Sequence, residues 1–467
     1  MPRFLLLGLW ALAVSAQAAK SPNIIFIFAD DQRADTVAAL GNAHIKTPNL
    51  DRLVQRGLSF THAYMQGGNN GATCVPSRAM LMSGRPYFHV DEKLMRDETW
   101  PHAFGAAGYA TFAAGKWHNG AGSVGRSFQA AKSMYIGGMT NPLKAQVCDL
   151  LPTGKMGPER LSPKHLCEEA TDEVLGFLRA QDGAKPFYAY LAFDGPHDPH
   201  IVPAGFPVTY DPTKVPLPAN FLPLHPFNNG EMTVRDEVLL PWPRQPAAIQ
   251  QMLADYYRYI SFLDQQVGRV LDAVEASPAA ANTVIVFAAD SGVARGSHGL
   301  IGKQNLYEHS LRVPLIIAGP GVPKDQRTEA LCYLFDVLPT LGKVCGVVAP
   351  KTSEGREFTA LFATPTSAHR AQLFFGYKNV QRALSDGRWK LIRYPQVDRT
   401  QLFDLQADPF EITDLSAKPE HAARVTDMLV RLAEEQKSVG DPLPLVVAKP
   451  QPSEWTAPKK LPKSVEK

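Results

Sequence analysis

Two acidic clusters far apart in the chain follow the same kind of run. Asn23–Ala29 (NIIFIFA) leads directly into Asp30-Asp31, and Thr283–Ala289 (TVIVFAA) into Asp290. Unbroken apolar, β-branched runs of this length read as strands buried on both faces. In open α/β sheets the ligand crevice lies outside the carboxyl ends of such strands. A single strand-end Asp serves well as a helix N-cap. A pair, repeated on a second strand, is better explained by a cation that offsets the repulsion among three carboxylates. The next feature is Cys74-Val75-Pro76-Ser77-Arg78, followed by Leu81-Met82-Ser83-Gly84-Arg85. The five cysteines are Cys74, Cys148, Cys167, Cys332 and Cys345. Proximity in sequence pairs Cys148 with Cys167 and Cys332 with Cys345, one of three connectivities that four cysteines allow. Cys74 is then left over.

The elements that must hold these groups are legible in outline. Phe187–Phe193 and Val313–Ala318 are further strand candidates, and helical patterns cover Glu168–Ala180 and Gln250–Val274. A helix begins near Asn49, with Pro48 before it and Gly57 as its stop. The segment after Cys74 opens a helix with Pro76 in its first turn, which aims backbone N–H groups at an anion. Strands alternating with helices predict an α/β/α sandwich with a mostly parallel central sheet. From about Ala371 the texture changes to short strands at Leu373–Gly376, Val380–Leu384, Trp389–Tyr394 and Leu402–Leu405, then a helix over Glu420–Lys437. This predicts a small C-terminal antiparallel sheet with one covering helix. The expected division is a catalytic domain over 19–370, a subdomain over 371–445 and a loose tail over 446–467. The Pro-rich stretches Ile201–Phe227 and Pro241–Pro246 are expected to wall a substrate cleft.

The Cys-x-Pro-Ser-Arg segment with its downstream Leu-x-Ser-Gly-Arg resembles the signature of the type I sulfatases, of the alkaline-phosphatase-like superfamily. The likeness extends through Thr47-Pro48-Asn49-Leu50-Asp51, Gly115-Lys116-Trp117-His118, Pro196-His197-Asp198-Pro199-His200, Gly302-Lys303-Gln304-Asn305-Leu306-Tyr307-Glu308 and Leu402-Phe403-Asp404-Leu405. It implies that a formylglycine-generating enzyme oxidises Cys74 to formylglycine. It also implies that Asp30, Asp31 and Asp290 bind Ca2+ together with the modified Cys74. Where the family commonly has Asn or His after the third Asp, this chain has Ser291, a shorter and weaker oxygen ligand.

The same resemblance implies a hydrolysis of sulfate esters. A hydroxyl of the aldehyde hydrate attacks sulfur, and the second hydroxyl allows collapse to the aldehyde with release of inorganic sulfate. Arg78 holds the formylglycine hydroxyl and the metal-site anions, while Lys116 and Lys303 meet the sulfate oxygens. His118 helps deprotonate the second hydroxyl, and His197 protonates the leaving oxygen. Two other readings share these residues: a phosphonate or phosphate ester hydrolase, and a non-catalytic glycan-binding pseudo-sulfatase.

Bulk properties bound the setting. Arg3, the apolar run Phe4–Val14 and Ala16-Gln17-Ala18 read as a signal peptide over residues 1–18, so a periplasmic or secreted protein is expected, with no stable membrane span. Its removal takes away only Arg3, so a formal charge of +3 becomes +2. A near-neutral chain without a basic run argues against nucleic acid as a partner. Export and the polar loops favour a sulfated carbohydrate substrate, its subsites built from the Pro-rich loops and the C-terminal subdomain.

Overall fold

Asn23–Ala29 (β1) is buried at every position because strands flank it on both sides and helices cover both faces. In the computed structural model, residues 21–459 are described. The expected signal segment, 1–18, and the end of the tail lie outside them. The main sheet also contains Gly57–Tyr64 (β2), Ala110–Lys116 (β3), Ala130–Tyr135 (β4), Phe187–Ala192 (β5), Thr283–Ala289 (β6) and Arg312–Ala318 (β7). Their order is β2-β7-β6-β1-β5-β3-β4, with short strands Gln326–Thr328 and Cys332–Tyr333 added on β2. The centre is parallel, as continuous apolar runs covered on both faces require. β7 departs from it and runs antiparallel to both β6 and β2.

Helices Pro48–Arg56 (α1), Leu166–Arg179 (α3) and Pro246–Glu275 (α4) pack together on the sheet, while Cys74–Ser83 (α2) packs with Trp100–Ala106 and Val337–Cys345. The C-terminal region forms a meander of Leu373–Tyr377 (β8), Gln381–Ser385 (β9), Trp389–Tyr394 (β10) and Arg399–Asp404 (β11). Helix Ala422–Ser438 (α5) places Met428 and Leu432 against Phe374, Leu384, Leu391 and Leu402 of that meander. Gly67–Gly68, from the segment just before α2, adds a parallel fifth strand on β8. Among the described residues beyond Asp441 there is no regular structure, yet Ser453 O accepts from Asn228 N at 2.7 Å and Trp455 packs edge-on against Trp242.

The cysteine pairing expected from sequence proximity is not made. All five cysteines are free. Cys167, on α3, donates to Asp194 Oδ1 at 3.0 Å, while Cys148 faces the Met134 carbonyl. Cys332 lies on the strand paired with β2, and Cys345 ends its helix beside the Pro22 carbonyl. Each member of the two expected pairs therefore sits on its own element, and nearness in sequence does not bring the sulfurs together.

One buried carboxylate ties two helices of the same face. Asp264 on α4 accepts from Asn49 N, Leu50 N and Asn49 Nδ2 at 2.7–3.1 Å, capping the start of α1 from outside it. Burial raises its pKa from 3.8 to about 6, against the pull of those N–H groups. The folded chain thus holds this proton more tightly than the unfolded chain. Stability from this group is full below the unfolded value and falls as pH rises through the folded one, by about 1.4 kcal/mol for each tenfold difference in proton affinity. Asp264→Asn removes the titration, so the stability of the natural chain relative to this variant is expected to fall between about pH 4 and about pH 7 in urea unfolding. A constant difference would show that Asp264 does not titrate in that window.

Candidate active site

Strand register brings the acidic groups together. Ala29 pairs with Ala289 and Phe28 with Ala192, while Gly115 on β3 also pairs with Ala192. Asp30, Asp290 and Lys116 therefore emerge side by side at the carboxyl edge of the sheet. Asp31 and His118 then turn the chain sharply, with φ of 64° and 68°. A non-glycine residue in this region costs of order 1–3 kcal/mol, and such residues cluster at functional sites. Gly138 lies against the His118 ring, where a Cβ would come within 2.6 Å of Nε2.

Cys74 is the first residue of α2, so its side chain stands at the positive end of that helix. The next turn carries Arg78, whose guanidinium is fully enclosed. Its Nη2 donates to Asp30 Oδ2 at 2.8 Å and its Nε to Asp290 Oδ2 at 3.0 Å. Lys116 Nζ reaches Asp30 Oδ2 at 2.6 Å, and Lys303 Nζ reaches Asp31 Oδ1 at the same distance. Around the Cys74 sulfur stand His118 Nδ1 at 3.1 Å and Lys303 Nζ at 3.8 Å. His197 places Nε2 3.7 Å from Asp31 Oδ2, and its Nδ1 donates to the Asp198 carbonyl at 2.7 Å. Ser291 donates its hydroxyl to Asp31 Oδ1 at 2.9 Å. All the site residues named from the sequence thus converge on one locus.

Electrostatics sort the groups. Burial pushes the Cys74 thiol up to about 12, although Lys303 and Lys116 pull the other way, so the unmodified sulfur is a neutral thiol. Burial also lowers His118, with Lys116 adding to the effect, to about 2, which leaves the imidazole neutral. Asp30 is held well below the carboxylate range because Lys116 and Arg78 outweigh its burial. Asp290 is pushed up to about 7 by burial and then by the charge of Asp30.

The donor set fits a hard divalent cation. Ligand atoms of Asp30, Asp31 and His197 lie within 4.8 Å of one another, as do those of Asp30, Cys74 and Asp290. Asp30 Oδ1 is buried and has no hydrogen-bond partner. An unpartnered buried carboxylate oxygen among further carboxylates is what oxygen-seeking cations take.

The locus opens into a cavity of about 610 Å³. Its outer wall differs from the one expected. The Pro-rich stretches do not line it; the segment between them does, through Val234, Arg235, Asp236, Val238 and Leu239. Nor does the C-terminal meander contribute lining residues. It braces the wall from behind, with Gln381 Nε2 donating to Asn229 O at 3.0 Å and Lys378 Nζ paired with Glu231 at 2.6 Å. Residues that sequence reasoning left unassigned are Asp198, Arg235, Asp236 and Gln304. Arg235 forks onto both carboxylate oxygens of Asp198, and Gln304 Nε2 donates to Asp236 Oδ2 at 2.8 Å. Asp198 and Gln304 lay inside recognised blocks, but Arg235 and Asp236 carried no motif.

Residues 22–347 match the family model Sulfatase, and residues 296–438 match the model N-sulphoglucosamine sulphohydrolase, C-terminal. The chain belongs to the sulfatase family. It is a sulfuric ester hydrolase. A curated relative is the N-acetylglucosamine-6-O-sulfatase of Bacteroides thetaiotaomicron, 26% identical over 94% of this chain and 92% of that one. Among solved structures, BT4656 in complex with its substrate D-glucosamine-2-N,6-O-disulfate superposes with a TM-score of 0.75 at 22% identity, covering 91% of this sulfatase and 99% of that chain. The phosphonate monoester hydrolase of Agrobacterium radiobacter shares the fold at a TM-score of 0.71 and 21% identity, over 90% and 96% of the two chains. The expected fold, a large mostly parallel sheet with a small C-terminal antiparallel one, is the fold observed.

Among the described residues, Arg78 alone joins Asp30 to Asp290 by charge-assisted bonds to both. Removing one partner of a buried ionic cluster costs about 3–5 kcal/mol because the remaining charges stay buried and unpaired. Arg78→Ala is expected to lose that much in urea unfolding. An unchanged unfolding midpoint would show that the carboxylates are not charged in the folded chain.

Proposed function

We propose that this sulfatase is exported and removes sulfate from a sulfated carbohydrate, using a formylglycine made from Cys74 and a bound Ca2+. The observation that carries this reading is the position of Cys74. It stands at the start of α2, within ligand distance of Asp30 and Asp290 and in contact with His118 and Lys303. The sugar substrate is supported by the relatives that act on sulfated glucosamine. Among the described residues, no helix is long and apolar enough to cross a membrane.

When present, formylglycine supplies an oxygen nucleophile that can later release sulfate, and Ca2+ supplies positive charge against the ester oxygens. Asp30, Asp31, Asp290 and the side chain at position 74 would hold the ion, with Ser291 beside it. Lys116 and Lys303 provide the fixed ammonium charges for the remaining sulfate oxygens. Arg78 keeps Asp30 and Asp290 in place while leaving Asp30 Oδ1 free. His118, neutral and next to position 74, accepts a proton from the group there. His197 is fixed as the Nδ1–H donor to the Asp198 carbonyl, so in the imidazolium form the second proton sits on Nε2, the nitrogen that would give it to the leaving oxygen.

Three measurements test this. Protein co-produced with a formylglycine-generating enzyme is expected to yield a Cys74 tryptic peptide with an aldehyde in place of the thiol. A persistent thiol in an active enzyme would overturn the assignment. Inorganic sulfate is expected to be released from sulfate esters faster than phosphonates are cleaved, and chelation followed by Ca2+ restores the rate; a preference for phosphonates would select the other chemistry of this fold. His197→Ala is expected to slow sugar sulfates by about 10²–10⁴-fold but nitrophenyl sulfate much less, since a good leaving group needs no acid. Equal losses on both would exclude proton donation by His197.

A further inference from the structure

The cavity in front of Cys74 has two unlike ends. The inner end carries Lys303, His118 and His197 around position 74, with Lys116 and Arg78 behind. The outer end is apolar, formed by Met139, Val234, Val238 and Leu239. Met139 is half-exposed and forms a contiguous apolar wall with Val234, Val238 and Leu239.

Among the described residues, Arg235 is the one cation on the outer wall, and its fork is already used. Nη1 donates to Asp198 Oδ1 at 2.9 Å and to Asp236 Oδ1 at 3.2 Å, while Nη2 bonds to Asp198 Oδ2. A guanidinium engaged in this way has both terminal nitrogens committed to carboxylates of the protein before any substrate carboxylate or sulfate arrives. Lys378, near the Gly71 edge of the cavity, is paired with Glu231. Beyond the reaction centre Arg235, Arg295 and Lys378 are thus already committed to three carboxylates, Asp198, Asp236 and Glu231. A second anion on the substrate would meet only cations that are already paired and would have to compete with these carboxylates for them.

We propose that this sulfatase is selective for singly sulfated esters whose leaving group is uncharged and presents an apolar ring face, and that it discriminates against a second sulfate or a carboxylate on that group. This rests on the sulfatase reading of the site and specifies its substrate class. It sets the chain apart from its structural neighbour BT4656, whose substrate carries two sulfates. The ring face can belong to a neutral pyranose or to an aryl group; both offer C–H or π surface to Met139, Val234 and Leu239.

The test compares matched pairs on the formylglycine-bearing, Ca2+-loaded enzyme. One set pairs each monosulfated N-acetylglucosamine regioisomer with its N-sulfated counterpart; the other pairs phenyl sulfate with its 3-carboxylate. The uncharged member is expected to show a kcat/KM at least ~10-fold higher, the scale set by one unfavourable charge contact. The set that turns over faster tells whether the ring is a sugar or an aryl group. Calorimetry on Cys74→Ala is expected to show the same order of binding without turnover. Val234→Lys, with folding checked by thermal midpoint, is expected to raise the charged-to-uncharged ratio by about tenfold. Equal or better turnover of the charged members, or no change of ratio in Val234→Lys, overturns the proposal alone. Failure of the processed enzyme to cleave any sulfate ester would overturn the sulfatase reading and the proposal with it.

Discussion

Three carboxylates buried at one point are the constraint on which the rest of this structure depends. The pairing of Ala29 with Ala289 forces Asp30 and Asp290 to leave the sheet together, and Asp31 turns back toward them. Carboxylates removed from water at such separations repel strongly unless paired. Each counter-charge comes from a different element: Arg78 from α2, Lys116 from the end of β3 and Lys303 from the loop beyond Asp290. The fold therefore cannot shift one of these elements without exposing a charge imbalance in the others. A cation among the carboxylates fits the same logic, since Asp30 Oδ1 is left without a partner while its twin oxygen carries both Arg78 and Lys116.

A second buried ionic knot explains why the small sheet matters to a site it does not line. Lys390 on β10 is fully enclosed between Glu308 and Glu411, at 2.9 Å from each. Glu308 closes the block that begins at Gly302 and carries Lys303. Gln381 on β9 also reaches the Gln304 carbonyl at 3.4 Å. The meander thus holds the Lys303 segment from behind, and Gly67–Gly68 joins that meander to the residues just ahead of Cys74. Two loops of the reaction centre are in this way referred to one rigid sheet.

Much of this was legible in the residues. β1 and β6 were readable to the residue because strands buried on both faces need uninterrupted apolar side chains, and the acidic residues mark where burial by helices ends. The residues that gather at the candidate site could be named because their family-like blocks are local: Cys74 and Arg78 share a helix turn, and Lys116 and His118 share a strand end. Strand direction was not, since an apolar run such as Arg312–Ala318 looks the same whether it runs parallel or antiparallel. The cysteines misled for a related reason. Cys148 and Cys167 are close in sequence, but a turn and the start of α3 intervene and each sulfur finds its own carbonyl or carboxylate. The cavity wall escaped notice because Arg235 and Asp236 act through partners dozens of residues away, with no periodicity to announce them.

The wall and the chemistry are nevertheless connected by a short path. Arg235 grips the Asp198 carboxylate, and the carbonyl of that same residue accepts the Nδ1 proton of His197. The carboxylate also lies 3.5 Å from that nitrogen. Asp198 is further enclosed by Arg295, 3.9 Å away, so its position is set by two guanidinium groups at once. A change in the loop that meets the leaving group is therefore transmitted to the imidazole proposed to protonate it. The proposed proton donor and the residue that Arg235 grips are thus consecutive, His197 and Asp198. Seating of the ring against Val234 and Met139 then bears on the orientation of the acid as well as on affinity, which is how binding energy remote from sulfur can be expressed in the rate.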